Sequence, residues 1–488
     1  MRGRLDYLGS GLVALVLFRL LAQATFYRND GHYLIERAIA GDSNHSWHFL
    51  SIPVLRLAHA IAAPLGTSWF ECASWISSVG MAVGVAGLHA ASRRLGVPRG
   101  AALLAAVAIM VAPAIVFFAS VVELHGLFFG FTGIAALATA RFAEGPSWLR
   151  GAVLGLSVVL AYLAHATGSL LPAILLPLAV LHAPQKLAAR KGLATTDTGL
   201  VGRFLHGAVS GPVVLAAATA VVGCAFAPWL MTVLGLPMDR GHQVALLDNQ
   251  RLAAAFTSTG LPRTALVEWV RPFLAISVLG PLGLAVAQGR AFGVALVLGL
   301  LVYLPAAFVI LGDDCERGAY LLPLAWPAAC AAAMAFPRLL GLGIPLALFV
   351  AVHDVREHEG GAHEGAIAAG ISAATSGRPA VVYFGAVDEL GAGLIHLPSY
   401  EFKHWIDESK LAPETARRLS PLLALHLRSV LGAGRLVLVT DSAREMLADA
   451  DPRKGGLAGP VILAQLERDF VWRDASRAGF HGFELLAR

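Results

Sequence analysis

Apolar runs recur along this chain at about the length a helix needs to cross a lipid hydrocarbon core, roughly 20 residues. No other feature restricts the fold as much. Such runs read at 8–26, 69–91, 101–120, 123–142, 151–165, 167–183, 207–234, 271–288, 291–312, 318–336 and 339–353, about eleven spans. The stretch from Gly151 to His182 is too long for one helix and is split at His165-Ala-Thr-Gly-Ser. Of the 488 residues 57% are hydrophobic and 14% charged, too little charge to cover a soluble protein of this length. The fold class expected is therefore membrane all-α, a polytopic helical bundle. At the N-terminus Arg2 and Arg4, an apolar stretch and Ala22-Gln23-Ala24 together resemble a cleavable secretory signal. The run is long enough for an uncleaved first span, which is the reading adopted.

The net charge of +5 is not read as nucleic-acid binding, because the basic residues fall mostly in short loops between apolar runs. Arg93, Arg94 and Arg99, then Arg141 and Arg150, then Lys186, Arg190 and Lys191, then Arg290 and Arg338 share one side. The positive-inside rule makes that side cytoplasmic. The other side collects Asp30, Glu36, Asp42, Glu123, Asp239, Asp248, Asp313, Asp314 and Glu316. The expectation is a multi-pass protein of the cell (inner or plasma) membrane, N-terminus cytoplasmic and C-terminus outside. Cys72, Cys224, Cys315 and Cys330 are too scattered for a metal pattern or a disulfide framework.

The composition changes near His358, so residues 1–355 read as the transmembrane domain and 356–488 as a small extracytoplasmic α/β domain. "PAVVYFGAV" and "RLVLVTDSAREML" read as β-branched strands, the second followed by a helix starting at Asp441-Ser442. "FVWRDASRAGFHGFELLAR" reads as a closing hairpin, and "HEGGAHEGAIAAG" as the linker before the domain. "LGAGRLVLVT" lacks the lysine and spacing of a phosphate loop.

The first outer loop, 27–68, carries two stretches of helical spacing. "DGHYLIERAIAG" starts at Asp30, and "SWHFLSIPVLRLAHAIAAPLG" has Pro53 early in it. Both predict short amphipathic helices along the membrane surface. Asp30 alone reads as an N-cap, worth ~1 kcal/mol. Its company shifts the reading. Glu123 and His125 head the fourth run, and His165 opens the next outer turn. "PMDRGHQ" adds Arg240, and "LGDDCERGAY" adds Asp313, Asp314 and Arg317. Ionisable groups at the rim of a bundle are costly and usually face a cavity. A carboxylate can take a proton from an attacking hydroxyl, and arginines can bind a departing phosphate.

In these features the chain resembles the GT-C glycosyltransferases, in particular the branch of protein O-mannosyltransferases and aminoarabinose transferases. The segments that carry the resemblance are "DGHYLIERAIAGD", "HFLSIPVLRLAHA", "VELHGLFFGFTGIAALATARF" and "CERGAYLLPLAWPAACAAA". It covers residues 1–350 and implies transfer of a sugar from a polyprenyl-phosphate donor to an acceptor on the non-cytoplasmic face, with inversion. The family's first-loop acid falls on Asp30, the implied general base. Relatives carry a second acid beside it where this chain has Asn29 and Gly31. That leaves dependence on a divalent metal open.

Glu123 reads equally as a second catalytic carboxylate and as a helix cap. Arg317 is assigned to the donor phosphate with Arg240 behind it, although Arg240 also fits a headgroup anchor. His32, His48, His125, His165, Asp313 and Asp314 are assigned to substrate. Asp313 and Asp314 could also hold a metal or pair with Arg317, and of these two pairing is the reading favoured. His45 with His48, and His353, His358 and His363 with Glu357 and Glu364, have ligand chemistry, but no metal site is assigned. Two other readings stay open. One is a transporter or flippase for a lipid-linked sugar, against which the spans are nearly free of mid-membrane charge. The other is a non-catalytic subunit of an envelope assembly complex. On the transferase reading the acceptor is left open among protein, lipid and glycan.

Overall fold

The structure is a computed structural model that describes residues 2–27, 30–41, 48–191, 211–233, 260–311, 316–361, 363–404, 413–449 and 458–488. The chain divides into two compact units, one of Met1–Gln23 with Tyr33–Glu357 and the other of Ala24–His32 with His358–Arg488.

The larger unit is helical. Its first nine helices are α1 (Arg2–Leu20), α2 (Asp30–Ala40, whose first turn belongs to the other unit), α3 (Ser51–Ala62), α4 (Trp69–Leu95), α5 (Arg99–Met110), α6 (Pro113–Ser120), α7 (His125–Glu144), α8 (Trp148–Ala164) and α9 (Pro172–Lys191). Gly211–Val233, Gly260–Thr264, Arg290–Leu311, Ala325–Ala335 and Pro337–Gly360 follow. The first-loop sequence thus forms two short helices, α2 and α3, at the two stretches of helical spacing.

The count of eleven spans is not confirmed among the described residues. Among the described residues four helices are long and apolar enough to cross a membrane, or up to six if each of two bent pairs is one span. Several apolar helices are shorter, such as Trp148–Ala164 and Ala319–Ala335, and two apolar runs are broken by a bend. The run at 101–120 bends by 56° between α5 and α6, where Pro113 opens the second piece. The run at 271–288 is part of a pair bent by 105° at Leu274, whose φ is 45°. The runs at 151–165 and 167–183 are parted at His165, where the split was expected, by a 3₁₀ turn, Ala166–Leu170, before α9 starts at Pro172.

Helices α4 and α7 form the tightest pair. Gly80 of α4 lies against the backbone of Gly126, and Gly126 of α7 against the backbone of Ser77, so close that a Cβ at either would collide with main chain. Small residues that let backbones touch are the usual adhesive of helices in lipid, where apolar burial alone does not favour association.

The smaller unit holds one five-stranded sheet in the order β2-β1-β3-β5-β4. Its strands are β1 (Ala380–Phe384), β2 (Glu401–His404), β3 (Leu436–Thr440), β4 (Phe470–Asp474) and β5 (Gly482–Ala487). β1 runs parallel to β2 and β3, while β5 is antiparallel to β3 and β4. Both central strands β1 and β3 are buried along their whole length, as parallel strands covered on two faces should be.

The expected linker "HEGGAHEGAIAAG" is not one. Its first residues end the helix Pro337–Gly360, and Glu364–Thr375 is a helix whose Ile371 joins a buried cluster with Val382, Leu438 and Phe480. Glycines lower helix propensity, but tertiary packing overrides it here; Gly370 admits the backbone of Phe480.

Candidate functional site

The α4–α7 contact fixes what stands at the head of α7. Ser77 Oγ donates to the Glu123 carbonyl at 2.8 Å and accepts the Glu123 N–H at 3.2 Å. The Glu123 carboxylate accepts the N–H of Leu124 at 2.7 Å. Glu123 is therefore buried and hydrogen-bonded to the backbone at the opening of α7, whose N-cap is Leu124.

Immediately after it, three histidines from three separate elements converge. His48 precedes α3, His125 is the first residue of α7, and His165 ends α8; all three are buried, at 3%, 4% and 1% exposure. The ring centroids of His48 and His165 are 4.5 Å apart, those of His125 and His165 5.1 Å, and those of His48 and His125 5.7 Å. Tyr320 closes the group at 5.5 Å from His165 and 5.9 Å from His125, with Phe118 and Phe128 against its apolar side. His165 Nδ1 accepts the Thr167 N–H at 3.1 Å, so in the neutral ring the proton sits on Nε2. His125 Nδ1 is buried without a hydrogen-bond partner among the described residues. Buried polar atoms are rarely left so, and the group offers donors and acceptors suited to a hydroxyl-rich ligand.

A second polar feature lies around Arg317. The chain there is forced into left-handed backbone, with φ of 49° at Arg317 and 83° at Gly318. Glu268 makes that turn: its two carboxylate oxygens accept the N–H groups of Glu316 at 2.7 Å and Gly318 at 2.8 Å. Gly318 is needed, since a Cβ there would come within 2.9 Å of the Glu268 carbonyl oxygen. The Arg317 guanidinium lies 4.4 Å over the Phe117 ring and lines a pocket of about 120 Å³ with Arg271, Asp354 and Pro113. A larger apolar groove of about 460 Å³ runs between α3, α4 and α7, lined by Val54, Trp75, Val83 and Phe131.

The remaining expectations divide. Asp30 is the first residue of α2 and, with His32, belongs to the smaller unit. His32 is buried there, its ring 3.9 Å from that of Phe26. His48, His125 and His165, assigned to substrate with it, belong to the larger unit. Arg240, Asp313, Asp314 and His45 lie outside the described residues. No group of three or more His, Cys, Asp or Glu suited to a metal occurs among the described residues. Ser77, Glu268, Arg271 and Tyr320 were missed. Glu268 had a signal, a lone acid in the apolar "TALVEWV", where such a group marks a built environment.

No family model matches the chain, and no curated sequence does. Solved structures do. ArnT from Cupriavidus metallidurans in the apo state superposes with a TM-score of 0.56 at 14% identity, over 98% of this chain and 97% of that one. ArnT bound to undecaprenyl phosphate gives 0.57 at 13% identity, again over 98% and 97%. The chain shares the fold of these two structures along its length.

Proposed function

We propose that the chain is an integral-membrane glycosyltransferase that moves a sugar from a polyprenyl-phosphate carrier to an acceptor on the non-cytoplasmic face. Asp30 is the general base. It takes the proton of the acceptor hydroxyl, whose oxygen attacks the anomeric carbon as the bond to the carrier phosphate breaks, inverting the centre. Arg317, with Arg240, meets the charge that develops on the leaving phosphate. Glu123 assists from the head of α7, and the substrate hydroxyls are met by His32, His48, His125 and His165, with Asp313 and Asp314. The apolar groove beside α4 and α7 suits an isoprenoid chain. In this reading the apolar runs make about eleven spans, some broken, and residues 356–488 lie outside the membrane.

The observation that supports this most is the convergence of His48, His125 and His165 with Tyr320, beside Glu123, in a helical unit with the fold of a protein solved with undecaprenyl phosphate. The test is glycan and lipid profiling of cells lacking the protein, complemented with wild type or Asp30→Asn. Wild type restores the missing modification. The Asn variant, which keeps size and helix capping but cannot accept the proton, leaves it reduced at least about a hundredfold, the usual scale of general-base loss. Full restoration by Asp30→Asn overturns the mechanism.

A further inference from the structure

The segment Ala24–His32 is near one end of the sequence, yet it packs as part of the C-terminal unit. Thr25 Oγ donates to the Glu364 carboxylate at 2.6 Å, both groups buried, across 339 residues of chain. Phe26 and Tyr27 are buried, at 4% and 7% exposure, and Tyr27 meets the ring of His358 edge-on at 5.7 Å. His32 is 3% exposed and lies over Gly391, where a Cβ would come within 2.9 Å of both His32 Nε2 and Glu364 Cγ. Glu364 itself opens the helix Glu364–Thr375, whose far end is fixed in the sheet core through Ile371. Asp30 lies between these anchors in the chain, as the first residue of α2.

We propose that the C-terminal α/β unit positions Asp30, with Thr25 and Glu364 as the positioning pair and the small residue at 391 leaving the seat for His32. The proposal rests on the reading of Asp30 as the base and gives the C-terminal unit a part in the reaction. A short loop leaving a helix is ordinarily among the loosest parts of a fold. A base must be held within a fraction of an ångström of its hydrogen-bonding position. Hydrogen bonds to a buried carboxylate are among the strongest available for that purpose.

The test uses the full chain with Thr25→Val, Thr25→Ser and Asp30→Asn. Two quantities are read: the restored modification in cells lacking the protein, and deuterium exchange of residues 24–32 in purified protein. Thr25→Val keeps the shape and removes the donor. It should speed exchange at 24–32 on the order of ten- to a hundredfold, leave β1 and β3 protected, and lower the modification by a similar factor. Thr25→Ser should match wild type in both readouts. Unchanged exchange in Thr25→Val overturns the proposal, because the contact then holds nothing. A loosened 24–32 with full modification also overturns it, while the loss in Asp30→Asn leaves the base in place. Full modification by Asp30→Asn removes the base and the positioning claim together.

Discussion

Each unit contains a carboxylate that gathers a loop around itself, and the two differ in their access to water. In the helical unit Glu268 is 1% exposed and accepts two backbone N–H groups, those that shape the turn carrying Arg317. In the α/β unit Glu389 accepts the N–H groups of Gly385 and Ala386, each at 3.0 Å, and the hydroxyls of Thr440 and Ser442, at 3.0 and 2.6 Å. Those donors stand at the carboxyl ends of the adjacent strands β1 and β3, and Glu389 is only partly buried. Both accept backbone N–H groups, but Glu389 is partly open to water while Glu268 is buried. Surroundings, more than bond count, set what each carboxylate is worth.

The contrast breaks most visibly at Glu268. Glu268→Ala strands the buried Gly318 N–H at about 1–3 kcal/mol and frees the part-buried Glu316 N–H at less, so thermal unfolding in detergent should show a loss of roughly 2–4 kcal/mol. The Arg317 turn should relax, and the modification restored in cells should fall with it. Glu268→Gln keeps one acceptor oxygen and should lose about half as much. Glu389→Ala removes more hydrogen bonds yet should cost only about 1–2 kcal/mol, because Gly385, Ala386 and Ser442 are only partly buried and the buried Thr440 hydroxyl keeps its contact with Ser442 Oγ at 2.9 Å. Equal losses at the two sites would show that exposure is not the deciding variable.

What the sequence disclosed follows the same physical line between local and distant causes. The strands around Val381 and Val437 are β-branched runs flanked by turn residues, and β3 leads into a helix whose first turn is capped by Thr440, which accepts the Ala443 N–H at 3.1 Å. Helices α2 and α3 were legible from the spacing of Leu34, Ala38, Ile52 and Leu55, all buried. The histidines could be named singly, but their meeting depends on three elements that only the fold brings together. The break at Leu274 has no glycine to announce it, and a residue of that type takes positive φ only when its surroundings impose it. The allegiance of Ala24–His32 to the C-terminal unit rests on contacts hundreds of residues away, beyond any window of periodicity. Residues 358–370 misled for the opposite reason: local glycines suggested a linker, and burial of Ile371 decided for helix.

The smallest expected effect lies at the edge of the sheet, where solvent is most available. On β2 the Glu401 carboxyl is held below the usual carboxylate range, first by a hydrogen bond from Lys403 at 2.9 Å and then by Arg435 at 3.0 Å, against the opposing effect of its partial burial. A depressed folded value means the carboxylate binds its proton less readily in the folded chain than in the unfolded one. Its contribution is therefore complete above the unfolded value of about 4.3 and disappears as pH falls through the lower folded value. Glu401 is 41% exposed as a side chain, so the contribution is modest and falls further with salt. The difference in unfolding temperature between wild type and Glu401→Gln should be flat from neutral pH down to about 5, then close as the carboxylate protonates. Added salt should shrink it at neutral pH. A difference that instead grows in acid would reverse the sign of the shift. It would mean that this edge strand, with charges along its unpaired side, is guarded against further pairing rather than stabilised by its ion pairs.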